Sequence, residues 1–286
     1  MEMLQLKYFC DAAVTQNFSK TAERFFVPPS SVSQSIRRLE NELGMELFER
    51  KANRVILNEE GEIFYQAVTE CGKILLNAEK QVTDGKKEIC GEIKLQIFCN
   101  RRIISEAIGE FTRKYPEVSF VLNHGFPTDE DFDLIISDKN NGGDSWVSTP
   151  LLEEEIALAV SKTHPISNKK KFSLNELKNE RFITTQSGSS FNRLSHQLCN
   201  NAGFEPHIAI ECDDPLYIRK YIEMGLGIGF VPMFSWKGQF SKDLALKVIP
   251  GYKRVTNVYY NKESYITRTT RKFLEHLIEF CKKQDI

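Results

Sequence analysis

The sequence predicts a mainly helical winged helix-turn-helix at the N-terminus, then a long linker helix, then an α/β domain. Three observations predict it. Residues 19–57 hold two helical patterns four residues apart, with a basic strand pattern after them. Residues 58–87 carry a heptad apolar repeat. From residue 92 onward, short apolar runs alternate with amphipathic helical runs, the texture of an α/β domain.

A first helix over residues 4–15 buries Leu4, Tyr8 and Ala12, with Phe9 and Ala13 beside them. Gln16, Asn17 and Phe18 make the turn, and Ser19 is placed to cap a second helix whose apolar face is Ala22, Phe25 and Phe26. Pro28 and Pro29 cannot continue that helix, but Pro29 suits the first position of a new one. The third helix buries Val32, Ile36, Leu39 and Leu43, and Gly44 stops it. Its opposite face carries Ser30, Ser31, Ser33, Gln34, Arg37, Arg38 and Asn41, side chains able to reach base edges and phosphates. Taken alone, that face fits a solvated helix equally well. The residues after the helix favour DNA. Arg50, Lys51 and Arg54 lead into a short strand at 55–57, a β-wing with cations placed for phosphates or a minor groove.

The run Ser33-Gln34-Ser35-Ile36-Arg37-Arg38-Leu39-Glu40, then Leu43-Gly44, Leu47-Phe48 and Arg50, resembles the N-terminal domain of LysR-type transcriptional regulators. The spacing matches from about residue 4 to residue 61. One departure stands out. Members commonly start the recognition helix with a polar residue, often Gln, then Pro; this chain has Pro29 and Ser30. The resemblance implies a regulator binding double-stranded promoter DNA through Ser30, Ser31, Ser33, Gln34, Arg37, Arg38, Arg50, Lys51 and Arg54. It also implies a homodimer or homotetramer, with RNA polymerase a candidate further partner.

Asn58 starts the linker helix, which reaches to about residue 87. Phe64, Val68, Cys71, Leu75, Ala78 and Val82 step by four and three, a heptad seam suited to joining two chains. Residues 83–87 form the hinge. The chain resembles the family again at Phe132-Asp133-Leu134-Ile135 and at Gly225-Leu226-Gly227-Ile228-Gly229 before Val231-Pro232. These stretches imply a periplasmic-binding-protein-like effector domain of two α/β lobes. The expected division is 1–58 for DNA binding, 59–90 for linker and hinge, and 91–286 for the effector domain. Lobe one is placed at 91–161 and 265–286, and lobe two at 162–264.

Ligands of such sheets sit beyond the carboxyl ends of strands, near helix N-termini. Two loops qualify, one with Asn100 and Arg101, the other with Gln186, Ser187, Ser189 and Phe191. The second, rich in hydroxyls, suits an anion, although Ser and Thr there fit helix capping as well. By resemblance Thr128 and Ser137 line the lobe-one wall and Phe191 the lobe-two wall. The effector is therefore expected to be a small, anionic molecule.

Composition bounds the rest. The chain has 286 residues and net charge −1. Residues 1–57 hold 8 Lys/Arg and 7 Asp/Glu, so DNA binding must rest on where the cations sit; Glu40, Glu42, Glu46 and Glu49 are expected to point away. No basic start leads into a long apolar run and no stretch suits a membrane span. Seven cysteines without a C-x-x-C fit a reducing cytoplasm. Gly225-x-Gly227-x-Gly229 has the wrong element order for a dinucleotide fingerprint. No catalytic motif, metal site or cofactor is expected, so an enzyme is disfavoured. His196, Cys199, His207 and Cys212 match no zinc spacing known to us. The alternatives are a redox-sensing member of the same family using Cys199 and Cys212, or a cytoplasmic small-molecule-binding α/β protein without DNA binding.

Overall fold

The computed structural model describes residues 1–51, 54–85, 88–125, 132–139 and 143–284. Packing divides the chain into two units, Met1–Gly85 and Lys86–Ile286.

In the first unit α1 (Met3–Thr15), α2 (Phe18–Arg24) and α3 (Pro29–Leu43) enclose a small core around Phe9, Val32, Ile36, Leu39, Leu47 and Phe48. Two features of α2 differ from the expected ones. Asn17, not Ser19, caps α2: its side chain accepts from the Ser19 and Lys20 N–H groups. The helix starts two residues earlier than a Ser19 cap implies, and Phe18 in its first turn packs its ring on Phe48, 5.5 Å away. Phe26 does not join the buried face of α2. It lies past the helix end in left-handed backbone (φ 54°) and is 95 % exposed, while Phe25 packs against Tyr8 at 4.9 Å. Pro29 is the first residue of α3 and Gly44 its left-handed stop.

The wing is a hairpin of β1 (Phe48–Lys51) and β2 (Arg54–Leu57), in which Arg50 faces Val55 and Lys51 faces Arg54. Asn58 then caps α4 (Glu59–Thr83), accepting from the Gly61 N–H at 2.7 Å. Gly61 has a packing reason: an added Cβ would lie 2.1 Å from the Leu47 carbonyl oxygen. Phe64 and Tyr65 reach back to Phe9, with ring centres 5.3 and 6.4 Å away. Further along, Cys71, Leu75, Ala78 and Val82 are exposed, so that part of the heptad seam is not spent on this unit's own core. The helix ends at Thr83, short of the expected 87; Lys86 and Lys87 lie outside the described residues.

The second unit contains β3 (Gly91–Ile97), α5 (Arg101–Lys114), β4 (Val118–Asn123), β5 (Leu134–Ser137) and β6 (Trp146–Ser161). Two single-turn 3-10 segments come next, then β7 (Arg181–Thr185), α6 (Ser190–Asn201), β8 (His207–Cys212) and α7 (Pro215–Glu223). The last elements are β9 (Gly229–Pro232), β10 (Leu244–Asn261) and α8 (Arg268–Lys282). Six strands form one sheet in the order β4-β3-β5-β10-β6-β9, while β7 and β8 pair separately and in parallel. The main sheet is mixed: β3 runs parallel to β4 and β5, whereas β10 is antiparallel to both β5 and β6.

Two of the core clusters of this unit mark its two lobes. One gathers Ile93, Leu95, Ile97, Phe111, Val258 and Phe273 under α5 and α8. The other gathers Ile156, Leu158, Val160, Phe182, Leu198 and Ile228. Ile156 and Val258 belong to opposite lobes from their expected ones. The chain passes between lobes inside β6 and β10, near residues 153–155 and 253–255, rather than at 161/162 and 264/265. β10 is one long strand whose pairing with β6 is interrupted by a register shift between Val248 and Lys253. The glycines at 225–229 end α7 and let β9 approach β7: a Cβ on Gly229 would lie 2.7 Å from the Ile183 carbonyl oxygen.

Two alanine substitutions in α4 should act with opposite signs. Gly61→Ala should cost about 2–4 kcal/mol through the clash with Leu47. Gly72→Ala, with nothing within 4 Å of the added Cβ, should gain about 0.5–1 kcal/mol of helix propensity. Urea unfolding monitored by circular dichroism checks both.

Candidate DNA interface and effector site

In α3, burial divides the helix lengthwise. Val32, Ile36 and Leu39 are wholly buried, while Ser30, Ser31, Gln34, Arg37 and Arg38 are exposed and Ser33 is half-buried. Arg37 and Arg38 form no ion pair with a described residue. Glu40, expected to point away from DNA, is buried: its carboxylate accepts the Leu47 N–H at 3.0 Å. It ties the end of α3 to the start of the wing. The Val55 N–H donates to the Gln16 carbonyl at 3.1 Å, and the Asn58 side chain to the Glu46 carbonyl at 2.7 Å. The first bond holds β2 to the end of α1, and the second closes the base of the hairpin. Arg54 is exposed on it; the side chains of Arg50 and Lys51 lie outside the described residues.

In the second unit the structure brings together some of the expected effector residues and separates others. Asn100, in left-handed backbone at the start of α5, is buried; it donates to the Thr256 hydroxyl at 2.6 Å and accepts from Arg254 Nη2 at 3.0 Å. Phe191, in the first turn of α6, lies under the Arg254 guanidinium at 4.7 Å. Arg101 is exposed and turns away, donating to the His124 carbonyl at 2.8 Å. Ser137 is fully buried, its hydroxyl accepting the Lys139 N–H at 3.0 Å, so it offers no wall to a ligand. Ser189 caps α6 by accepting the Asn192 N–H at 3.4 Å. Ser187 donates to Glu211 at 3.2 Å, and Gln186 is exposed beside it. Thr128 lies outside the described residues.

The centre of the junction is Arg254, which the sequence did not single out. It is buried on β10 and pairs across the strand with Glu154 on β6. Its Nε donates to Glu154 at 3.0 Å and its Nη2 to the Ser235 hydroxyl at 2.9 Å. Glu154 also accepts the Phe234 and Ser235 N–H groups at 3.1 and 2.8 Å. Burial opposes the charge on Arg254, but Glu154, then Cys99 and Asp138, hold its affinity for the proton above the ordinary value. The guanidinium therefore stays charged and touches loops of both lobes.

The cysteines give a redox pair no support. Burial, then Glu205, pushes the Cys199 thiol up to about 12, far from the thiolate that exchange requires. Cys199 sits in one lobe-two core cluster and Cys212 at the edge of another. His196 meets Glu205 at 3.0 Å.

Residues 3–62 match the model of the bacterial regulatory helix-turn-helix protein, lysR family, and residues 86–282 match the LysR substrate binding domain. The chain belongs to the LysR family. It is therefore a DNA-binding transcription regulator with an effector-binding domain, in a family of regulators rather than enzymes. It is 29% identical to the uncharacterized HTH-type transcriptional regulator YybE of Bacillus subtilis, covering 97% of this chain and 98% of that one. The fold matches full-length CbnR complexed with its target DNA, with TM-score 0.64, 21% identity and coverage of 98% and 100%. It also matches the effector binding domain of QuiR in complex with shikimate, with TM-score 0.60, 18% identity and coverage of 69% and 100%. Among the described residues of this LysR-family chain, no helix is long and apolar enough to cross a membrane.

Removing one partner of the buried pair should be costly. Glu154→Ala or Arg254→Ala should each destabilise the second unit by about 3–5 kcal/mol, by leaving a buried charge unpaired. Glu154→Leu with Arg254→Met should cost far less than the two added together. Both tryptophans, Trp146 and Trp236, lie in this unit, so their fluorescence during urea unfolding reads the effect.

Proposed function

We propose that the chain is a cytoplasmic, homo-oligomeric regulator that reads promoter DNA with α3 and the wing. Its state is set by a small acid bound between the two lobes. One observation carries the DNA reading: the exposed stripe Ser30, Ser31, Gln34, Arg37 and Arg38, opposite a face buried without a gap. Arg37 and Arg38 have no competing anion among the described residues, so no ion pair need break before they meet phosphate or guanine. Ser33 at the margin of the stripe, and Arg50, Lys51 and Arg54 on the wing, complete the assigned contacts. CbnR with its target DNA supports the same use of this domain.

The exposed seam of Cys71, Leu75, Ala78 and Val82 supports pairing of two α4 helices. Pairing would hold two recognition helices at a fixed separation, about one DNA turn or a multiple of it. It would also double the phosphate contacts of a nearly neutral domain. RNA polymerase, implied by the family resemblance, would meet the DNA-bound oligomer; no residue is assigned to it. For the effector, the start of α6 and the buried Arg254 favour an acid. QuiR with shikimate, itself a carboxylic acid, supports that class.

Arg37→Ala and Gln34→Ala should each abolish retardation of DNA from upstream of the chain's own gene, while gel filtration shows the oligomer unchanged. Retardation identical to the parent chain would remove α3 as the reading helix.

A further inference from the structure

The first turn of a helix favours an anion. In α6 that place already holds one. The Asp138 carboxylate, at the carboxyl end of β5, accepts the hydroxyl of Ser190 in the first turn of α6. Arg254 Nη1 lies 3.6 Å from the same carboxylate oxygen. The next residue, Lys139, donates from its ammonium to the Gly188 carbonyl in the loop entering α6. The Lys139 carbonyl is in turn held by the Tyr259 hydroxyl at 2.7 Å. Lobe one therefore grips the start of α6 by two neighbouring residues.

The grip is incomplete. The Asp138 side chain is only 5 % exposed, yet its Oδ1 has no donor among the described residues. A buried carboxylate usually collects donors on both oxygens; this one is held through one. Its charge is nevertheless needed. Arg254 and Lys139 bring two cations to the junction, and Glu154 and Asp138 bring two anions. Arg193 adds a further cation near Lys139. Glu211 does not compete for the seat, since it is engaged by Ser187 and Asn192. Take Asp138 away and the junction holds an unbalanced positive charge beside a helix N-terminus.

We propose that Asp138 is an internal stand-in for the effector's acid group: it occupies an oxyanion seat at the start of α6, and an effector carboxylate or phosphate enters by displacing it. The inference rests on the reading that the effector binds between the lobes, and it adds how that site is regulated. Entry of an acid would free Asp138 to reach solvent and would break the Asp138–Ser190 link. Binding would then change how lobe one holds lobe two, the differential contact that a ligand-driven shift requires.

The test is rescue of the full chain by small anions. Thermal unfolding, read by tryptophan fluorescence, is measured for the parent, Asp138→Ala and Asp138→Asn. Sodium acetate, sodium phosphate and sodium chloride are compared at matched ionic strength. Asp138→Ala should melt several degrees lower than the parent in chloride. It should recover saturably in acetate, as expected when a ligand binds the folded state alone. The parent, with its seat filled, should melt alike in all three salts. Asp138→Asn, which keeps the shape but lacks the charge, should show a smaller recovery and serves if the alanine variant does not fold. Recovery in phosphate as well as acetate still supports the seat and widens the effector class; recovery in acetate alone narrows it to carboxylic acids. Equal recovery in chloride, or none in either variant, overturns the proposal. DNA retardation is not part of this readout, so its failure would leave the regulator reading standing.

Discussion

The second unit depends on a buried ion pair at the place where the chain crosses between its lobes. Arg254 and Glu154 are cross-strand partners on β10 and β6. An isolated buried charge is strongly unfavourable, and a pair recovers that cost only if its remaining donors and acceptors are satisfied. Here they are met by Ser235 and the Phe234 N–H on one side and by Asn100 on the other. Satisfying the pair therefore fixes loops from both lobes. The interlobe junction gains polar specificity where an apolar core would have allowed sliding.

The first unit solves a different problem with the same economy. A recognition helix must present polar side chains and still be rigid. Ile36 and Leu39 anchor one face of α3, and the buried Glu40 carboxylate binds the chain leading to the wing. The wing and helix are thus set by one residue adjoining both. Gly61 lets α4 start against the Leu47 carbonyl, so the long helix leaves the domain at a fixed angle. Its exposed apolar seam is a result of geometry: beyond Thr69, which still hydrogen-bonds Cys10, the helix has run past its own domain's core.

Much of this was legible in the sequence, and the gaps have physical reasons. The period of α3 could be read because one side is wholly buried, and Pro29 and Gly44 mark its ends by backbone chemistry alone. Asn17 was missed as a cap because the packing of Phe18 on Phe48 set the helix start. β6 is hard to read from sequence because Pro150 and the three consecutive glutamates 153–155 interrupt its apolar pattern. Glu154 is buried only because Arg254, a hundred positions away, meets it. That separation also concealed the junction. Asn100 and Phe191 could be found from the position of their loops, whereas Asp138, Glu154 and Arg254 acquire their roles only from one another. The hydroxyl-rich loop misled in detail, since Ser189 is spent as a cap and Ser187 on Glu211.

On the proposed reading, acid binding between the lobes and DNA binding by α3 are coupled. Coupling of binding free energies is reciprocal. The decisive measurement takes an acid that raises the melting temperature of the full chain. Its dissociation constant is determined with and without saturating upstream DNA, and that of the DNA with and without saturating acid. Both constants should change by the same factor, at least about fivefold. Two constants that each ignore the other ligand would contradict the coupling.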